Sequence, residues 1–210
     1  HALIEKEPNT NQTEKSGNVA VLVGEVLTTG FSEVSNIIVR NSVITDNNES
    51  YKRKQFRVGG IIGNLEDNHI TRLFNLSAQV EIKMLSNATL SDKCYMAEGI
   101  GCYGAPKTSS SYAIPLTNIY VHGSIETTIN SNNCYIGGVI GNNANNNNIT
   151  STSSTWYYTE AVNVTTTNVV NYGTKQPLSD FANTFAENCN SYIAEKNIDG
   201  KSVWTYINSI

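Results

Sequence analysis

The residues of this 210-residue chain with the most obvious chemistry are four cysteines, three histidines and a few spaced glutamates. Cys94 and Cys134 lie 40 residues apart, and each is followed by a tyrosine. Brought together, they would form a disulfide, leaving Cys102 and Cys189 as the second pair. Four cysteines allow three pairings, and a fully reduced, buried set is the alternative in a reducing compartment. No Cys-x-x-Cys occurs, which argues against zinc and thioredoxin-like chemistry. His1, His69 and His122 are scattered without metal-ligand spacing. The run Asp46–Ser50, "DNNES", offers oxygens to a calcium ion, but it lacks the glycine and terminal carboxylate of an EF-hand loop and reads as a solvated loop. The stretch "CYIGGVIGNN" at 134–143 invites comparison with a phosphate-cradling loop. It has no Gly-Lys-Ser/Thr ending and opens no helix, so no nucleotide site is expected.

What positions these residues is a repeat. Ile136-Gly137-Gly138-Val139-Ile140-Gly141 has earlier counterparts in Val58-Gly59-Gly60-Ile61-Ile62-Gly63, in Met96-Ala97-Glu98-Gly99-Ile100-Gly101 and, less closely, in Val19-Ala20-Val21-Leu22-Val23-Gly24. The last glycines, Gly24, Gly63, Gly101 and Gly141, are 39, 38 and 40 residues apart. After a polar loop, each copy is followed by a second strand-like run: "SNIIVRNSVIT", "RLFNLSAQVEI", "TNIYVHGSIETT" and "STWYYTEAVNVTT". Apolar residues tend to alternate there, as in Val80-Glu81-Ile82, the pattern of a strand with one buried face. Each unit holds at least two strands, and two are convincing.

A unit of that size cannot bury its apolar face alone, whereas stacked units share one core. The expected fold is mainly β: a β-solenoid of about four coils of about 39 residues, with a C-terminal α-helix and a final strand. A propeller would ask for four strands per unit. Glycines suit the corners, through positive φ or close backbone approach. Stacking also places Cys94 and Cys134 at equivalent points of adjacent coils. Their Cα atoms would then be about 5 Å apart, within disulfide range.

The motifs "VGGIIGN", "EGIGCYG" and "IGGVIGN", each with a polar loop and a second strand, resemble the GLUG motif of secreted and surface-exposed bacterial and protist proteins. The resemblance covers the chain up to about residue 170 and is weakest in the first copy, where Ala20 and Val21 replace two glycines. It implies a β-solenoid stalk, adhesin or surface-layer role and brings no catalytic residues.

Composition narrows the function classes. Only 15% of residues are charged and the net charge is −4, so no basic field is available for nucleic acid or an anionic bilayer. No apolar run is long enough for a membrane-spanning helix, and no basic-then-apolar leader follows His1. The abrupt start at His1 fits a leader already removed. Six Asn-x-Ser/Thr sequons occur, at Asn11, Asn48, Asn75, Asn87, Asn148 and Asn163, no more than this composition produces by chance. Asn11, Asn48, Asn87 and Asn148 fall in expected arms or loops and are the preferred glycan sites.

Two surface readings compete with a purely structural one. Glu81 and Glu126 follow Val80 and Ile125; if these are equivalent, the carboxylates project from neighbouring coils about 5 Å apart, a spacing that suits a retaining glycosidase. No cluster of basic or further acidic residues joins them, and exposed sheet glutamates are the simpler explanation. Trp156, Tyr157 and Tyr158 offer faces for sugar stacking, with Trp156 and Tyr158 as the candidate pair.

The expected organisation is a flexible N-terminal arm at 1–16, solenoid repeats at 17–170 and a helix–strand cap at 171–210. The helix is expected near 178–195, where Leu178, Phe181, Phe185, Cys189 and Tyr192 keep helical spacing. The arm, with its β-compatible "HALIE", could add a strand to a neighbouring molecule. These features lead to an expectation of a non-enzymatic extracellular building block without cofactor, nucleic acid or membrane insertion. Its partners would be other copies of itself and, as an adhesin, surface glycans.

Overall fold

The computed structural model describes residues 15–28, 32–46, 50–67, 71–85, 87–90, 92–104, 115–129, 133–143, 150–151, 155–162, 168–170, 173–175, 193–198 and 201–206. Each coil contributes strands to three parallel sheets. The first coil contains β1 (Lys15–Ala20), β2 (Val23–Thr28) and β3 (Ser32–Asp46). The second contains β4 (Ser50–Gly59), β5 (Ile62–Asp67) and β6 (Thr71–Met84). In the third, β7 (Asn87–Leu90) and β8 (Cys94–Ala97) run successively along β4 before β9 (Ile100–Gly104) and β10 (Pro115–Thr127). The fourth comprises β11 (Cys134–Gly137), β12 (Ile140–Asn143), β13 (Thr150–Ser151) and β14 (Thr155–Val162). Two short strands, β15 (Asn168–Val170) and β16 (Thr174–Lys175), begin another turn on β11 and β14.

The sheets run β1-β4-β8-β11-β15, β2-β5-β9-β12 and β3-β6-β10-β14-β16. This is consistent with a β-solenoid, with one strand more per unit than the sequence pattern suggests. The glycine motif is two strands, not one: it breaks between β4 and β5 at Gly60-Ile61, and at the equivalent places in the other coils. The corner residues join the ladder themselves. Ile61 N–H donates to Gly99 C=O at 2.9 Å, and Ile100 N–H donates to Val139 C=O at 2.8 Å.

The core is built from columns of like residues, Val19–Val58–Met96–Ile136 on the first sheet and Val23–Ile62–Ile100–Ile140 on the second. Glycines at this corner answer to crowding rather than to handedness. A Cβ on Gly101 would lie 2.6 Å from the Val58 carbonyl oxygen and 2.7 Å from that of Gly63, so strand two passes against the backbone of the coil below. The one glycine with positive φ among the described residues is Gly173.

The third sheet bends at a different residue. Asn75 takes φ 54° within β6, and the pairs on either side, Ser35↔Phe74↔Thr117 and Ile37↔Leu76↔Ile119, place Asn36 and Asn118 level with it. Asparagine tolerates the left-handed region better than other side-chain-bearing residues. A second asparagine, Asn41 at φ 45°, sits in a one-residue bulge of β3 between Val39 and Ser42.

No helix occurs among the described residues. Most of the expected helix, 178–192, lies outside them, but its last turn is corrected. Residues from Ile193 belong to β17 (Ile193–Ile198), antiparallel to β18 (Lys201–Tyr206). Ile198 pairs with Lys201 across Asp199-Gly200, a dipeptide suited to a two-residue hairpin connection, and the strand pairing overrides helical spacing there. Of the expected arm, Lys15 and Ser16 are already part of β1, and 1–14 lie outside the described residues.

Candidate functional site

Strand parity sorts the chemically interesting residues into an inner and an outer set. On the inner side, Cys94 and Cys134 are direct register partners, and Cys94 stands above Phe56. Cys94, Cys102 and Cys134 are buried thiols. A hydrogen bond with Cys134, reinforced by burial, pushes the Cys94 thiol well above the usual thiol range. Cys102 belongs to another column, Asn64–Cys102–Asn142, so no cysteine adjoins it in the coils above or below. Cys189 lies outside the described residues. In the same column, buried Asn64 donates to the carboxylate of exposed Glu25 in the first coil at 2.9 Å, a polar link that favours this register.

The corner between the first two sheets also holds a carboxyl group. Gly60, Glu98 and Gly138 occupy successive coils, and Glu98 is fully buried. The opposite wall complements them. A Cβ on Gly60 would approach Val80 Cγ2 at 2.9 Å, and one on Gly138 would enter the Tyr157 ring. At Glu98 the facing residue is Gly123, where an added Cβ would lie 3.3 Å from Glu98 Oε1. Small faces large in each coil, and the glutamate takes space left by a glycine.

The outer face of the first sheet carries Asn18, Arg57, Tyr95 and Tyr135 in one column. Arg57 donates to Asn18 Oδ1 at 3.0 Å and to the Gln55 side chain. The Tyr95 and Tyr135 rings lie 5.4 Å apart and tilted, with Lys93 Nζ 5.8 Å from the Tyr135 centroid. This basic and aromatic column was not found from sequence; the signal for it is the tyrosine after each of the two equivalent cysteines.

On the third sheet the expected pairing of Glu81 with Glu126 is corrected. Val80 pairs with Gly123, and Ile125 pairs with Ile82, so Glu81 faces Ser124 and Glu126 faces Lys83. The sequence alignment was off by two residues, a shift that preserves parity and so leaves the apolar alternation unchanged. Lys83 Nζ lies 2.8 Å from Glu81, whose hydrogen bond and charge raise the lysine pKa. An exposed ion pair therefore occupies the place of the two facing carboxylates.

Trp156 and Tyr158 are register partners of Tyr120 and His122, while Tyr157 is packed in the core. Tyr120 is buried although its parity puts it outside. Burial lowers the His122 pKa. Among the preferred glycan sites, Asn87 opens strand β7 instead of lying in a loop, and Asn11, Asn48 and Asn148 lie outside the described residues. Asn75 is buried. His1, His69 and Asn47–Glu49 also lie outside them. No group of three or more metal-ligating side chains occurs among the described residues, and no helix there is long and apolar enough to cross a membrane. Compared with family models, curated proteins and solved structures, the chain finds no match.

Proposed function

We propose that this chain is an extracellular structural β-solenoid that associates end to end into a surface fibre or filament. The observation that carries the reading is the apolar exposure at the end of the first coil among the described residues. Leu22 is 47% exposed, whereas Ile61, its equivalent one coil above, is fully buried. Among the described residues, strands β1, β2 and β3 each have one strand neighbour in their sheets, and β18 comes near β3. An apolar layer bounded by three strand edges is complementary to another coil of the same kind, and edges of this sort recruit strands unless blocked. The resemblance to the GLUG motif points the same way. Function then lies in stacked hydrogen bonds and a continuous core rather than in a reaction.

The test is electron microscopy and sedimentation of the purified chain, with Leu22→Lys as the comparison. Filaments or concentration-dependent oligomers that the lysine abolishes are the expected result. A chain that stays monomeric over the accessible concentration range would sink the proposal.

A second reading, glycan binding by an adhesin, is favoured by the register of Trp156 and Tyr158 beside Tyr120 and His122 on the third sheet. A glycan array with Trp156→Ala and Tyr158→Ala controls addresses it; saturable binding lost in both variants would favour the adhesin.

A further inference from the structure

Cys94 and Cys134 form a column of two. They are paired in register on the parallel strands β8 and β11, and both belong to the core, with no exposed surface on either. Below them the column continues with Phe56. Parallel neighbours hold their Cα atoms about 4.8 Å apart, inside the disulfide range of about 4.4–6.8 Å. Their Cβ atoms start at a similar separation, so bond closure draws these atoms about 1 Å closer, to the usual disulfide value of about 3.8 Å. On the opposite face of the same strands the Tyr95–Tyr135 ring pair sits one residue further along. The thiols are thus enclosed by core on one side and by the sheet on the other.

We propose that Cys94 and Cys134 form a disulfide that staples the third coil to the fourth, that it forms during folding, and that stacking then preserves whichever oxidation state the pair had. The oxidant belongs to the class of low-molecular-weight disulfides. One cysteine, as thiolate, attacks a sulfur of that disulfide; a protein mixed disulfide forms and one small thiolate leaves. The second cysteine, as thiolate, attacks the protein sulfur of the mixed disulfide, closing the Cys94–Cys134 bond and expelling the second small thiolate. Two protein thiols are oxidised, one small disulfide is reduced to two thiols, and the two protons pass to the leaving groups. A mixed disulfide needs space for its second half beside the protein sulfur. Fully buried neighbours offer none, so the exchange belongs to the stage before the fourth coil closes over the third. Cys102, with Asn64 and Asn142 as its column neighbours, is not served by this route.

The experiment uses the whole 210-residue chain, unfolded with reductant and refolded either in a mixture of oxidised and reduced glutathione or under continued reduction. Both samples are unfolded in denaturant without reductant, alkylated there and digested for peptide mapping. The oxidised refold should yield a Cys94–Cys134 linked peptide and resist thermal unfolding to a temperature several degrees higher than the reduced refold. The reduced refold, given oxidised glutathione only after the native circular dichroism spectrum has returned, should acquire the link at least tenfold more slowly than the refolding chain. Cys102→Ala should leave the link in place. Native protein from the oxidised refold with both thiols alkylatable, or with either cysteine linked to Cys102 or Cys189, would overturn the staple. Equally fast oxidation of the folded and refolding chains would overturn the preserved state.

Discussion

The first and second coils have closely related motifs and very different surroundings. In the second coil Val58, Ile61, Ile62 and Leu65 have no exposed surface; in the first, Val19, Val23 and Val26 are half-buried and Leu22 is exposed. Their glycines differ in the same sense. A Cβ on Gly63 would lie 2.5 Å from the Gly24 carbonyl oxygen and 2.7 Å from that of Val19, because a coil passes beneath it. On Gly24 the nearest atom would be the Asn18 carbonyl oxygen at 3.0 Å, within its own coil. At the last glycine of the motif the demand for glycine thus comes mainly from the neighbouring coil, whereas at Gly59 it comes from the Ile62 carbonyl of the same coil.

The contrast can be broken most sharply at the glycines. Gly101→Ala places a Cβ against three backbone atoms that cannot retreat without disrupting the ladder, and should cost at least about 3 kcal/mol in urea denaturation. Gly24→Ala should stay within about 1 kcal/mol of the parent. The next probe is packing. Leu65→Ala, in the closed coil, should cost about 2–5 kcal/mol, and Val26→Ala, its register partner in the end coil, about 1 kcal/mol or less. Equal costs for the two would mean that the end coil is covered in solution and would turn attention to what covers it.

The asparagine bend gives a smaller effect. Replacing Asn75 with alanine removes the side chain suited to φ 54° and should cost about 1–2 kcal/mol, with glycine at the same position recovering part of the loss. Smallest is a pH effect at His122. Burial lowers its folded pKa, so below the unfolded value of about 6.5 the unfolded chain binds the proton more readily than the folded one. Stability should therefore be unaffected by this group above that pH, decline as pH falls through it, and level off below the folded pKa. His122→Gln should flatten that part of the curve in melts taken from pH 7.5 to 5; an unchanged curve would assign the decline to other groups.

The repeat period and the Cys94–Cys134 alignment were legible in the sequence because parallel stacking repeats the same physical demand at each level. Glycine returns where backbones cross, and branched aliphatics return where the core is. The third strand was not legible. Val58 to Gly63 reads as one apolar run, and nothing in its composition marks the bend at Gly60-Ile61, where both residues are buried on either side of a corner. Glu81 and Glu126 were misaligned because apolar alternation repeats every two residues and cannot distinguish registers that differ by two. The level of Asn36, Asn75 and Asn118 would have resolved it, since each precedes Ile or Leu by one residue and aligning them gives the observed pairing. The strand at Ile193 was not legible because the helical spacing that starts at Leu178 runs on through Tyr192 and Ile193 without a break.

The register offsets carry one further consequence. Between the second and third coils the partner of a residue lies 38 positions later on the first sheet and 43 later on the third; between the third and fourth the offsets are 40 and 36. The corners keep their geometry while the spans joining the second sheet to the third change length. Insertions and deletions in those spans leave the ladders aligned, whereas a single-residue deletion within β6 would turn every later side chain of that strand to the other face. The architecture therefore separates sites where chain length can drift from sites where it is fixed, and variation in length is channelled to the connections, away from the stacked strands.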